Sequence, residues 1–196
     1  MAGCGGGDWG EEISKFNYCY AMKRATLLGG LVGMAAFIGG CVSQRHDRDR
    51  DLLLSLPWQQ FDQTLNSGWR VYSARHEYRA AGDVIEAYLK QHRDLTVRQR
   101  AVSHFHAGLM RVRDRRTPAG LIHMKQALVP ENAPGLSDDW DAMVAAHIAF
   151  LTGDRATLVA LKEQVARLPR SRVEWPGCPA DLLDHFGEPF GSWQSK

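Results

Sequence analysis

The chain has 196 residues, 44% hydrophobic and 23% charged, which fits one globular domain with appendages and is too apolar for a disordered protein. Lys and Arg number 24 against 22 Asp and Glu, for a net charge of +2, so no global polycation argues for nucleic acid. A mean hydropathy of −0.33 excludes a multi-span membrane protein, and four cysteines are too few for a disulfide scaffold.

Residues 1–21 open with Gly3-Cys4-Gly5-Gly6-Gly7 and carry Asp8, Glu11 and Glu12. Translation starting at Met22 accounts for them most simply; the alternative is a genuine, mostly disordered extension. Lys23 and Arg24 then form a positive head, and Ala25 to Ile38 follows without a charge. As a helix those residues reach about 21 Å, short of a hydrocarbon core of about 30 Å and suited to the core of a signal peptide. Glycines at 29, 30, 33, 39 and 40 would each cost a soluble helix about 1 kcal/mol relative to Ala, which disfavours a packed core helix. Ile38-Gly39-Gly40-Cys41 resembles the lipobox of bacterial lipoproteins: a branched apolar residue, two small residues, then cysteine. The resemblance implies that 22–40 is a signal peptide, cleaved before Cys41, with a lipid on that thiol as the membrane anchor. Val42 after the cysteine implies, by the same resemblance, sorting to an outer membrane facing the periplasm. Cys178 is then the one unmodified thiol of the mature chain, so the fold must stand on its core. The alternating charges of His46-Asp47-Arg48-Asp49-Arg50-Asp51 read as part of a solvated tether over 41–56.

From Pro57 the apolar spacing is helical. Tyr78, Ala81, Ile85, Tyr88, Leu89 and His92 share one face, and Val97, Ala101, Phe105, Leu109 and Val112 form a second stripe. Trp140, Val144, His147 and Leu151 make a third, and Leu158, Leu161, Val165 and Leu168 a fourth. No stretch alternates as a strand does, so the expected class is all-α. Thr96, Thr117 before Pro118, Ser137 and Asp154 after Gly153 stand where helix caps are needed. Gly68, Ala80 and Ala87 recur 40 residues on as Gly108, Gly120 and Ala127, with a degraded third copy at Ala146, Leu158 and Val165. This pattern resembles the tetratricopeptide repeat (TPR), where small residues sit at the close crossing of paired helices. The resemblance implies about three stacked antiparallel hairpins over 57–169, a TPR-like α-solenoid. It departs from the family in its 40-residue period and in Thr64 and His104, which replace the usual first-helix aromatic. Residues 170–196, with Phe186, Phe190 and Trp193, read as a C-terminal cap on the stack.

Chemistry is sparse. Eight histidines include no His-Glu-x-x-His pairing, and His104 and His106 lie about 200° apart on a helix, so no metal site or cofactor is expected. Nucleophile elbow, Walker loop and dinucleotide fingerprint are all missing. Cys178 reads as a buried or capping thiol, His147 as a core histidine, and Asp138, Asp139 and Asp141 as acids at a helix start. The densest charge cluster is Arg111, Arg113, Arg115 and Arg116, with Arg98 and Arg100 upstream. It is expected to be a hydrated helix end that can contact anionic headgroups or a partner's carboxylates. The sequence thus reads as a lipid-anchored envelope protein acting as a non-enzymatic adaptor for a protein or peptide partner, with nucleic acid disfavoured. The alternative is an envelope enzyme or cell-wall factor whose site is built from scattered residues such as His104, His106, Arg111 and Trp140.

Overall fold

The computed structural model describes residues 50–129, 140–167 and 178–193. Every regular element among them is helical, and the class is all-α. The described chain is helical over 50–54 and makes a π-helical turn at Gln59–Gln63. Seven α-helices follow: α1 (Arg70–Ser73), α2 (Tyr78–Gln91), α3 (Val97–Arg113), α4 (Thr117–Ala127), α5 (Trp140–Thr152), α6 (Arg155–Ala166) and α7 (Pro179–Asp184).

Local chemistry sets the main boundaries. Thr96 caps α3 through a reciprocal pair, its hydroxyl accepting from the Gln99 amide at 3.2 Å and its own amide donating to Gln99 Oε1 at 3.0 Å. The α3–α4 turn holds Arg115 at a φ of 60°, and Thr117 is the first residue of α4 with Pro118 behind it, so the expected hydroxyl cap there is absent. Gly153, at a φ of 73°, ends α5. Asp154 then opens α6 by accepting from the Thr157 amide at 3.0 Å.

Packing follows chain order. α3 lies against both α2 and α4, α4 meets α5, and α5 meets α6 and α7. Being covered on two sides, α3 buries residues all around its axis, including Ala101, Val102, Phe105, Ala107, Met110 and Val112, whereas Val97 at its start is 52% exposed. The first core joins Leu54, Phe61 and Trp69 to Ala81, Val84, Ile85 and Tyr88 of α2 and to Ala107 and Met110 of α3. Within it Phe61 stacks on Tyr88 with ring centroids 3.8 Å apart. At the other end Phe186, Phe190 and Trp193 pack against Phe150, Leu158 and Leu182.

Two boundaries differ from the sequence reading. Residues 50–56, assigned to the tether, are folded onto α2: Leu54 is buried, its carbonyl meets His92 Nε2 at 2.8 Å, and Tyr88 donates to the Leu56 carbonyl. Gly68, expected at a helix crossing, instead sits in the turn before α1 at a φ of 51°. A Cβ there would lie 1.8 Å from the Phe61 carbonyl oxygen, so glycine is required by the turn itself. The chain between Pro57 and Ser73 accordingly forms two short turns where a long first repeat helix was expected.

Candidate functional site

Polar side chains gather on two sides of α3. On one side is Asp62, fully buried in the π-helical turn. Its carboxylate accepts from Trp69 Nε1 at 3.1 Å, from His106 Nδ1 at 3.0 Å and from the Gln63 amide. Arg70 Nε donates to the Asp62 carbonyl at 2.8 Å. Burial by itself would raise the Asp62 pKa, but His106, Arg70 and Gln63 outweigh it and hold the carboxyl below its ordinary range. A carboxylate only accepts, so the Asp62 bond makes Nδ1 of His106 the donor.

On the other side Arg111 crosses α2. Its Nε donates to Glu86 Oε1 at 2.6 Å, Nη2 to Asp83 Oδ1 at 2.7 Å, and Nη1 to the Arg79 carbonyl at 3.3 Å. Gly82 makes room, since a Cβ at that position would come within 2.9 Å of the guanidinium. Glu86 Oε1 also accepts from His123 Nε2 at 3.0 Å, and His123 Nδ1 faces His104 Nδ1 at 3.1 Å. One chain of contacts therefore links α2, α3 and α4. Burial first, then the neighbouring His123 and Arg100, push the His104 pKa down to about 4. His147, buried in α5 with its Nδ1 donating to the Met143 carbonyl, is likewise pushed down to about 4 by burial.

The expected positions separate. Gly108 and Gly120 meet where α3 crosses α4: a Cβ on Gly108 would lie 3.0 Å from the Gly120 carbonyl oxygen, and one on Gly120 would lie 2.9 Å from that of Gly108. Ala127 is fully buried, while Ala80 and Ala87 are half-buried and the tight position on α2 is Gly82. The arginine cluster expected at a hydrated helix end is not one surface. Arg111 is 3% exposed and ion-paired, Arg113 stacks over Tyr78, and Arg115 and Arg116 are exposed. Of the scattered set, His104 and Arg111 share one network, and His106 is in the other. Trp140 donates to the Ala127 carbonyl at the α4–α5 junction. Lys23, Arg24, Ile38, Gly39, Gly40 and Cys41 lie outside the described residues, as do Ser137, Asp138 and Asp139.

Asp62, Trp69, Gly82, Glu86 and His123 escaped the sequence reading. The one available signal was the i, i+3 spacing of Asp83 and Glu86, which puts two acids on one helical face. No family model, curated protein or solved structure matches the chain.

Proposed function

We propose that the chain is a lipid-anchored envelope protein whose helical domain is a non-enzymatic adaptor, holding a protein or peptide partner near a membrane. The observation that carries this reading is the run from Lys23 through Ile38-Gly39-Gly40-Cys41. It is supported by residue 50, nine positions after Cys41, being already helical. Eight residues, 42–49, stand between the lipid-accepting Cys41 and Arg50. Nine steps of 3.3–3.6 Å reach no farther than about 30 Å, so Arg50 works within that distance of a lipid on Cys41. Among the described residues no helix is long and apolar enough to cross a membrane. The domain is read as TPR-like from α2 onward, with the α3–α4 pair crossing at Gly108 and Gly120 as its best-formed hairpin.

Cross-linking in intact membranes, followed by mass spectrometry, tests the adaptor role. A reproducible partner joined to the helical domain is expected. Its consistent absence, with a small molecule found to be turned over instead, would replace this reading. That second reading, an envelope enzyme, draws on one observation: Asp62 accepts from Nδ1 of His106 and orients its ring, as a carboxylate does for a general base. His106→Gln in a folded protein would then abolish turnover, whereas the adaptor loses no partner.

A further inference from the structure

The domain has a defined end where the chain enters it. α2 and α3 are joined by residues 92–96, and the entering segment lies against that junction: Leu54 on His92, then Leu56 and Phe61 on Tyr88. Further along, Trp58 bonds Ser103 and Asp62 bonds His106, so the segment descends α3 from its start toward its middle. Arg50 is therefore at the 92–96 end, and Arg115 and Arg116 are at the opposite end of α3, about 25 Å away.

Five basic residues cluster at the entry end: Arg50, Lys90, Arg93, Arg98 and Arg100, against the acids Asp51 and Asp94. Arg50, Lys90 and Arg93 are exposed, and Arg100 donates to the carbonyls of His92 and Arg93, which binds its charge to the turn. Two apolar side chains stand out among them, Leu52 at 66% and Val97 at 52% exposure. Cations ringing exposed aliphatic groups are what an anionic bilayer surface takes up, headgroup to cation and acyl boundary to side chain.

We propose that this end docks on the anionic phospholipid headgroups of the bilayer that holds the chain, through Arg50, Lys90, Arg93, Leu52 and Val97. The inference rests on the anchoring reading, because only eight residues between a lipid on Cys41 and Arg50 select the bilayer as occupant. The entry end is the part of the domain the tether brings to the surface first. Docking by the far end would require the tether to run the length of the domain. Docked in this way, the molecule stands with the α3–α4 turn, at the opposite end of α3, toward the aqueous side, where a partner can reach it.

The test uses the full chain extracted from membranes and reconstituted into vesicles of phosphatidylglycerol with phosphatidylcholine, or of phosphatidylcholine alone. A water-soluble acetylating reagent is then applied. Lys90 reports the docking end, and the exposed Lys125 of α4 and Lys162 of α6 serve as internal references. On the anionic vesicles Lys90 should be acetylated at least about fivefold more slowly, the factor contributed by one basic residue near such a surface. Lys125 and Lys162 should be unaffected. High salt or Arg50→Glu with Arg93→Glu, both exposed positions whose variants keep the helical spectrum, should restore Lys90 labelling. Equal labelling of Lys90 on both vesicles, or equal protection of all three lysines, overturns the proposal. The same spectra give the mass on Cys41: a lipid there with Lys90 unprotected sinks docking alone, and protection of Lys90 with an unmodified Cys41 sinks the anchor alone.

Discussion

A methyl group at Gly120 tests the α3–α4 crossing most sharply. The added Cβ would lie 2.6 Å from Val112 Cγ2 and 2.9 Å from the Gly108 carbonyl oxygen. Neither neighbour yields easily, since Val112 is β-branched with few rotamers and the carbonyl belongs to the backbone of α3. The helices must move apart by several tenths of an ångström, and overpacking of this kind costs about 1–3 kcal/mol. Replacing this helical glycine, the fourth residue of α4, returns about 1 kcal/mol of propensity, so Gly120→Ala should destabilise by up to about 2 kcal/mol. Gly108→Val should exceed that, because its branches must displace the fully buried Met124, whose Cγ already lies 2.8 Å from the ideal Cβ. Denaturant titration followed by far-ultraviolet circular dichroism measures both. Gly153→Ala is the control: nothing lies within 4 Å of its Cβ, but at a φ of 73° the substitution costs about 1–2 kcal/mol from backbone strain alone. A Gly120→Ala protein more stable than its parent would refute a close crossing.

Arg111→Gln should destabilise by about 2–3 kcal/mol in the same titration, as charged hydrogen bonds do, and less than a fully buried pair would, because water can reach Asp83 and Glu86. Arg115→Gln with Arg116→Gln, both exposed, should change stability by less than about 0.5 kcal/mol each. The His147 imidazole takes its proton near pH 6.5 when unfolded and near 4 when native. The unfolded state therefore binds more protons between those values, and its contribution of about 3 kcal/mol, whole above 6.5, is lost as the pH falls to 4. His104 adds to this limb in the same direction, with a smaller effect because it is less buried. His147→Gln should flatten the limb in stability measured against pH. Asp62, held below its ordinary pKa of 3.8, contributes stability above that value and loses it as the pH falls through the lowered one. Asp62→Asn should remove this second, more acidic phase.

Periodicity carried the helical class, and spacing carried the Thr96 cap and the pairing of Gly108 with Gly120, because each depends on residues near in sequence or on one face of a helix. The same arithmetic misplaced Gly68. A repeat of small residues records side-chain size, and size alone does not separate a glycine needed for helix contact from one needed for a left-handed turn. Arg111 was misread for a different reason. A run of arginines at a helix end looks hydrated until the partners are known, and those partners, Asp83 and Glu86, stand 25–28 residues back on α2. Asp62 was invisible for the same cause, since His106 reaches it from 44 residues away. Networks assembled by tertiary packing leave little local trace. The tether was drawn too long because Arg50 and Asp51 look solvated, while Leu53, Leu54 and Leu56 just beyond them supply the apolar contacts that fold this segment onto α2.

The proposed lipid on Cys41, holding this domain at a membrane, is tested most sharply by the mass of the mature N-terminus. Protein purified from membranes of cells fed a labelled fatty acid would be digested and its first peptide weighed. The expected result is a chain beginning at Cys41, carrying diacylglycerol on the thiol and the label with it, and a Cys41→Ser variant that is neither labelled nor cleaved. A membrane-derived chain that retains residues 22–40, or begins elsewhere with Cys41 unmodified, would contradict it.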